Sequence, residues 1–181
     1  MQNIVLKINF NLTFINSTIF NTFIEIINDR MAKSTLKYNV FNFFKLPSAW
    51  WCGVRLQHID EKKAVVTVKH RWFNQNPFNS MFWAVQGMAA EYATGIMVID
   101  QIEKSGKKIS MLVASNNATF TKKATGRITF TCEDGHLIED AIAKTVATGE
   151  GQIFTMKSVG VNKDGVVVST FNFDWTIRLR K

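Results

Sequence analysis

The stretch NSMFWAVQGMAAEYATGIMVID runs from Asn79 to Asp100 and decides how the chain folds. Its small and apolar residues predict one long helix covered on most sides, because few side chains in it could solvate a helix face. Between Trp72 and Ile99 the only charged residue is Glu91. A carboxylate in such surroundings is costly to bury, so we expect it to be paired, protonated or used in chemistry. Glu91 is therefore the first candidate for a functional residue.

Helical spacing surrounds Glu91 with small residues. Gly87 and Gly95 each lie one turn from Glu91 on the same stripe, and Thr94 lies beside it. Glycine costs about 1 kcal/mol against alanine inside a helix, so this pair indicates close approach by another backbone or by a ligand. Two interpretations stay open. Glu91 forms a buried ion pair with Arg or Lys, or it acts as a general base or nucleophile in a partly desolvated pocket.

The sequence on either side of the helix predicts a sheet. Turn residues and alternating patterns divide the chain into a short helix near residues 38–44, a second helix at 136–148, and strands at 49–57, 63–70, 109–121, 127–132, 150–160 and 166–179. Asn79 or Ser80 is the expected N-cap of the long helix, and Gly149 the residue that ends the second one. A helix that is apolar nearly all round must be wrapped. We therefore predict an α+β fold with a curved antiparallel sheet of about six strands around the long helix, as one domain over residues 36–181.

The first 35 residues have a different composition, rich in Ile, Asn and Phe. Polar residues interrupt every apolar run, so the segment has neither the order of a secretory signal nor the ~20 apolar residues that cross a bilayer. One hypothesis is that translation starts at Met31 and the preceding residues are an upstream read-in. The other is an amphipathic helix from about Thr18 to Ile27 that packs on the domain or on a membrane surface.

Composition limits the possible partners and ligands. The 181 residues carry a net charge of +8 with a pI near 9.6, which suits an anionic partner or simply a soluble surface. No aromatic and basic nucleic-acid signature appears, so we expect no nucleic-acid partner. Cys52 and Cys132 are far apart and we expect free thiols in a reducing compartment, the cytoplasm. The three histidines, His58, His70 and His136, lack metal-ligand spacing, and we expect no bound metal.

Three segments resemble a known superfamily. NPFNSMFWAVQGMAAEYATG (76–95), LPSAWWCGV (46–54) and FTKKATGRITFTCEDG (120–135) are similar to a domain-of-unknown-function branch of the hotdog-fold thioesterases, and the likeness covers roughly residues 40–180. The resemblance implies a hotdog fold and an activity like that of the acyl-CoA thioesterases of the phenylacetate-pathway type. It also implies a homodimer or a dimer of dimers, with acyl-thioester sites at the subunit interface beside the central helix.

The same resemblance implies roles for particular residues. Glu91 matches the acid that acts as base or nucleophile, and Thr94 matches a small polar residue that supports it, unless its hydroxyl bonds its own helix backbone. Backbone N–H groups near the start of the helix would form the oxyanion site, with loop amides orienting the carbonyl or the water; these residues are Ser80, Met81, Asn76 and Asn79. The better-studied relatives carry a His-Gly-Gly element where this chain has residues 78–80 as Phe-Asn-Ser.

Basic residues after the third strand are the candidate contacts for the phosphates of coenzyme A. These are Lys122, Lys123 and Arg127, and their alternative role is a solvated turn. The acyl chain would run past Trp83 and Met88. The coenzyme A moiety belongs to the substrate, so no separate cofactor is expected. Two other functions stay open: a non-catalytic hotdog protein that binds an acyl group or acyl-CoA, and a surface-binding protein that uses its basic face.

Overall fold

The computed structural model describes residues 35–180, so both hypotheses about the first 35 residues lie almost wholly outside the described part. Residues 38–180 belong to one compact unit. The helices are α1 (Thr35–Lys45), α2 (Pro47–Trp51), α3 (Trp83–Ser105) and α4 (Gly135–Thr148). The strands are β1 (Arg55–Ile59), β2 (Ala64–Lys69), β3 (Ile109–Phe120), β4 (Arg127–Cys132), β5 (Gln152–Val161) and β6 (Val167–Leu179), and a 3₁₀ turn covers Trp72–Asn74.

The six strands form one antiparallel sheet in the order β1-β2-β4-β5-β6-β3. Among the described residues β3 is an edge strand, and it pairs with β6 from Ile109 opposite Leu179 to Phe120 opposite Ser169. The long helix α3 packs across β2, β4, β5 and β6, and α4 packs against α3 and β5. The predicted α+β hotdog architecture, a curved antiparallel sheet around a long helix, is confirmed.

The core lies between α3 and the inner face of the sheet. Eleven of the 23 residues of α3 are buried, and all of them lie from Val85 to Val98, which explains why that stretch carries so few solvating side chains. On β6 the inward residues Phe171, Trp175 and Ile177 are at most 3% exposed and alternate with half-buried ones. The alternation predicted from sequence for this strand is therefore confirmed.

The predicted first strand, residues 49–57, is wrong in its first half. Pro47–Trp51 forms the helical turn α2, and the strand begins only at Arg55. The proline sits at the first helical position, where its fixed φ suits a helix and its missing N–H costs nothing. Gly53 then adopts a φ of 88° and turns the chain into β1. The proline in front of this segment therefore decides its local structure.

The predicted N-cap of the long helix is also wrong. The helix begins at Trp83, its N-cap is Phe82, and no side chain caps it. Residues before it stay extended because Met81 bridges to Gln75 and its N–H donates to the carbonyl of Ala124 at 2.8 Å. The helix start is thus fixed by tertiary backbone bonds rather than by a local cap. The predicted end of α4 is confirmed, with Gly149 in a left-handed conformation.

Candidate functional site

Glu91 lies in the middle of α3 on the wall of an open groove of about 310 Å³. One side of this groove is a stripe of α3 in which Trp83, Gly87 and Glu91 follow one another at intervals of four residues. We call it the Glu91 groove, and its lining residues are Trp83, Ala84, Gly87, Met88, Glu91, Asn116, Phe171 and Phe173. Apart from the carboxylate and one amide, the lining is apolar or aromatic.

The Glu91 carboxylate has no ionic partner among the described residues. The salt bridges of residues 35–180 join other groups, and no described side chain or backbone group donates a hydrogen bond to it. Burial raises the pKa of Glu91 above its ordinary value. The sequence left two interpretations of Glu91, and residues 35–180 contain no cation that forms the buried ion pair of the first one. The carboxylate instead faces an open groove.

Thr94 is held by two hydrogen bonds, neither of them to the Glu91 carboxylate. Its hydroxyl donates to the main-chain carbonyl of Glu91 at 3.0 Å and accepts from the indole N–H of Trp175 at 3.0 Å. Thr94 is completely buried. Its position therefore fits the backbone-bonding alternative, and its bond to the indole N–H also helps to fix the Trp175 ring.

The two glycines beside Glu91 meet different neighbours. A Cβ added at Gly95 would lie 3.0 Å from two ring carbons of Trp175, so this glycine makes room for the indole. A Cβ at Gly87 would meet only the ring of Phe171, at 3.6 Å, and would point along the Glu91 groove. The predicted close approach is present at Gly95, where the Trp175 ring packs against the helix. At Gly87 the groove instead leaves open space that a ligand could occupy.

A second groove, of about 380 Å³, brings together most of the other predicted site residues. Trp83 lines both grooves and is 58% exposed, so the two grooves meet at this side chain. We call it the lysine groove, and its lining residues are Asn76, Ser80, Met81, Trp83, Gln86, Phe120, Thr121, Lys122, Lys123 and Ala124. Arg127 does not line it, and its guanidinium lies 3.5 Å from the hydroxyl of Thr67 instead.

The loop before the helix uses its own polar groups. The Asn76 side-chain oxygen accepts from the N–H of Phe78 at 2.9 Å and of Ser80 at 3.3 Å, and Asn79 adopts a φ of 55°. The N–H of Met81 is bonded to Ala124. The backbone donors of Ser80 and Met81 are therefore engaged within the protein, although both residues line the lysine groove.

Free backbone donors begin two residues later. The N–H of Phe82 bonds to Asn74, and the N–H groups of Val85 and Gln86 bond to the carbonyl of Phe82. Within the described residues this leaves the N–H groups of Trp83 and Ala84 without a partner at the start of α3. They are the positive end of a 23-residue helix and could polarise a carbonyl oxygen.

Sequence reasoning missed Asn116, the only amide in the Glu91 groove. It lies on β3 opposite Phe173, and its side chain is exposed and makes no hydrogen bond within residues 35–180. The neighbouring Asn117 by contrast accepts from Asn172 at 2.9 Å. An Asn pair in the middle of an otherwise strand-like segment was the available signal, but only the pairing of β3 with β6 shows which amide faces the groove.

The described residues contain no group of three His, Cys, Asp or Glu side chains that could hold a metal ion. Cys52 and Cys132 are free thiols, as predicted, and burial raises the pKa of Cys132 to about 12. Within the described residues no helix is long and apolar enough to cross a membrane.

Comparison with known proteins agrees with this architecture. Residues 37–177 match the model of a domain of unknown function, DUF4442. The chain belongs to this family. No curated protein is significantly similar to it in sequence. Membership of DUF4442 accounts for the hotdog fold, while the chemistry of the two grooves has to be argued from this chain's own residues.

Solved structures similar to this DUF4442 chain are distant in sequence. A protein of unknown function from Chlorobaculum tepidum superposes with a TM-score of 0.70 at 17% identity, covering 84% of this chain and 96% of its own. A Pseudomonas aeruginosa protein described as a probable thioesterase gives 0.65 at 15% identity, covering 83% and 93%. A thioesterase from Haemophilus influenzae gives 0.63 at 12% identity, covering 81% and 91%. At these identities the likeness shows the shared thioesterase-like hotdog fold.

Proposed function

We propose that this protein hydrolyses an acyl thioester, with Glu91 as general base or nucleophile. The observation that carries the proposal is a carboxylate of raised pKa that has no partner within residues 35–180 and lies on the wall of an open, mostly apolar groove. A carboxylate without a cationic partner is free to accept a proton, and a raised pKa brings it closer to the working pH of a general base.

As a general base, Glu91 takes a proton from a water molecule while the water oxygen attacks the thioester carbonyl carbon. The carbon–sulfur bond then breaks, and the proton passes from Glu91 to the departing sulfur. As a nucleophile, Glu91 would attack that carbon itself, the carbon–sulfur bond would break, and the thiolate would leave and take a proton from water. Water then hydrolyses the resulting anhydride and restores the Glu91 carboxylate. A single turnover in heavy-oxygen water separates the routes, because only the anhydride route can place an oxygen of Glu91 in the acid product.

The two grooves suit the two halves of an acyl-CoA. Lys122 and Lys123 line the groove at the helix start, where their charges can meet the phosphates of coenzyme A. The acyl group would follow the Glu91 groove past Met88, with Trp83 at the junction. Lys123 also donates to the carbonyl of Phe78 at 3.3 Å, which holds the loop against this basic strand end.

One chain alone does not assemble both parts of the site. Ala84 and Glu91 are seven residues apart in one helix, and at 1.5 Å per residue the free N–H of Ala84 is about 10 Å from Glu91 along the axis. One thioester carbonyl cannot contact both. We therefore propose a homodimer, alone or paired into a dimer of dimers, in which the helix start of one subunit faces Glu91 of its partner. The unpaired edge of β3, next to the Glu91 groove, is available for this contact.

The first experiment replaces Glu91 with Gln and measures thiol release from short, long and aryl acyl-CoAs. Loss of a general base lowers turnover by roughly 100- to 10,000-fold. Glu150→Gln is the matched control, because it makes the same chemical change at an exposed site. Full hydrolysis by Glu91→Gln would refute the mechanism.

A mixing experiment tests the shared site. Ala84→Pro removes one free N–H at the start of α3, in the first turn where proline is tolerated. Glu91→Gln and Ala84→Pro should each be inactive alone. Dimers that contain one subunit of each variant should regain activity, because one of their two sites then has both an intact helix start and an intact Glu91. Two stable, dimeric variants that never complement each other would contradict the partner contribution.

A second candidate function is a non-catalytic protein that binds an acyl group or acyl-CoA. The observation that favours it is the loop before α3, whose Ser80 and Met81 amides are already bonded within the protein. Calorimetric binding of acyl-CoA with no thiol release from the unaltered protein would support this function over hydrolysis. Binding would then depend on Lys122 and Lys123 and not on Glu91.

A further inference from the structure

One end of the domain exposes four large aromatic side chains. Phe44, Trp51, Trp72 and Phe73 are between 62% and 83% exposed, although side chains of this kind normally bury much of their surface. They come from three separate elements: the end of α1, the end of α2 and the 3₁₀ turn after β2. We call these four residues the aromatic end patch.

Direct contacts join the three elements into one surface. The Phe43 ring packs edge-on against Phe44 at 4.9 Å and against Trp50 at 5.3 Å, which links α1 to α2. The side-chain amide of Asn74 donates to the carbonyl of Cys52 at 2.9 Å, which links the end of α2 to the 3₁₀ turn. The three elements that carry the four exposed aromatic side chains are therefore held next to one another.

The backbone beneath the patch is held by internal hydrogen bonds. Asn74 is buried; its amide also donates to the carbonyl of Lys69 at 3.0 Å, and its oxygen accepts from the N–H of Arg71 at 2.8 Å. The Arg55 guanidinium lies 3.5 Å from the centre of the Trp50 ring and donates to the carbonyl of Trp50 at 2.8 Å. These bonds fix the loops so that their aromatic side chains point away from the protein.

The patch is surrounded by positive charge. Residues 35–59 and 62–90 contain no Asp or Glu, and these two segments supply all three elements of the patch. In the same segments Lys45 directly follows Phe44, Lys69 and Arg71 precede Trp72, and the Arg55 guanidinium packs on the Trp50 ring beside Trp51. Burial lowers the pKa of Arg55, and the nearby positive charge of Arg71 lowers it further. The surface is thus aromatic in the centre and cationic around it.

We propose that the aromatic end patch docks the protein on the surface of an anionic lipid bilayer. Tryptophan and phenylalanine insert at the boundary between headgroups and acyl chains, while lysine and arginine meet the anionic headgroups. The hydrogen bonds of buried Asn74 hold the turn that carries Trp72 and Phe73 in place, so these side chains can enter the boundary without a rearrangement of the turn. None of the four patch residues lines either groove of the proposed thioester site. The docking proposal can therefore be tested independently of the proposed function.

The test is co-sedimentation of the full 181-residue chain with vesicles. Phosphatidylcholine vesicles that contain phosphatidylserine should bind the protein, vesicles of phosphatidylcholine alone should bind it weakly, and added salt should release it. Trp72→Ser combined with Phe73→Ser should lower the partition coefficient at least about tenfold. Lys45→Gln and Lys69→Gln should each lower it roughly fivefold.

Matched controls lie elsewhere on the surface. Ile153→Ser removes an apolar side chain that is 69% exposed on β5, and Lys163→Gln removes a charge from the β5–β6 turn. Both should bind vesicles like the unaltered protein. Several outcomes would overturn the proposal: no binding to anionic vesicles at low salt, binding that the patch variants leave unchanged, retention on nucleic acid but not on vesicles, or a change of oligomeric state in the patch variants alone.

Discussion

Gly87 and Gly95 sit one turn on either side of Glu91, and replacing each with alanine should change the free energy of unfolding differently. Both substitutions gain the same helix propensity, about 1 kcal/mol. At Gly87 the added methyl group meets only the Phe171 ring at an ordinary 3.6 Å, so the gain should be realised. At Gly95 it would lie 3.0 Å from two carbons of Trp175, closer than a methyl group normally packs.

Trp175 cannot easily move away from that methyl group. Its indole N–H is bonded to Thr94, and its ring lies next to that of Phe173 with centroids 6.5 Å apart. Overpacking of a fixed core costs about 1–3 kcal/mol. We therefore expect Gly95→Ala to be neutral to about 2 kcal/mol less stable than the unaltered protein. Gly87→Ala should be up to about 1 kcal/mol more stable.

Urea unfolding of the two variants measures this difference directly. Because the propensity gain cancels, the difference between the variants, about 1–3 kcal/mol, reports the contact with Trp175 alone. For a domain of this size that is a gap of several degrees in Tm. The packing argument would be refuted if the two variants were equally stable, or if Gly95→Ala were more stable than Gly87→Ala. Gly87→Ala should also narrow the Glu91 groove and weaken binding of bulky acyl groups without unfolding the protein.

Three further predictions follow from single residues. Burial raises the folded-state pKa of Glu91, so the stability contributed by its protonated form is complete below the ordinary glutamate pKa of about 4.3 and is lost as the pH rises through the raised value. Glu91→Gln should therefore be more stable than the unaltered protein at neutral pH, and the gain should disappear in acid, as measured by urea unfolding at each pH. Trp175→Phe removes the hydrogen bond to buried Thr94 and leaves a void, so it should cost about 1–3 kcal/mol in the same assay. Iodoacetamide should label partly exposed Cys52 in the native protein and reach Cys132, whose pKa is raised to about 12, only after unfolding, which peptide mass spectrometry can follow. Equal labelling of both thiols under native conditions would contradict the burial of Cys132.

The elements with strong periodicity could be predicted from the sequence. Strands β4 and β6 fall within a residue of their predicted bounds, because alternation along a half-buried strand repeats over its whole length. The long helix was predictable because its lack of charged residues requires a covered environment. The two errors fall where a single local signal decided the prediction. Ser80 has good capping chemistry, but tertiary bonds to Met81 carry the extended chain past it.

The candidate site was only partly readable. Glu91 could be identified because one charge in an apolar helix is conspicuous. Lys122 and Lys123 lie in the same groove as Asn76 and Ser80, which is what binding of one acyl-CoA molecule by all four residues requires. What the sequence could not show was which backbone amides remain free, since that depends on bonds such as the one between Met81 and Ala124. Asn116 could not be predicted for a related reason. Its place beside Glu91 depends on the pairing of β3 with β6, which is distant in sequence.

The position of β3 has a consequence for biosynthesis. This strand is made before β4, α4 and β5, yet its only partner in the sheet is β6, the last element described. On the ribosome, β3 must therefore wait as an unpaired strand until β6 has left the exit tunnel. Its centre carries Ser115, Asn116 and Asn117 rather than apolar residues, which keeps the waiting nascent chain soluble. Asn116, the amide beside the Glu91 carboxylate, is thus also one of the polar residues of this waiting strand.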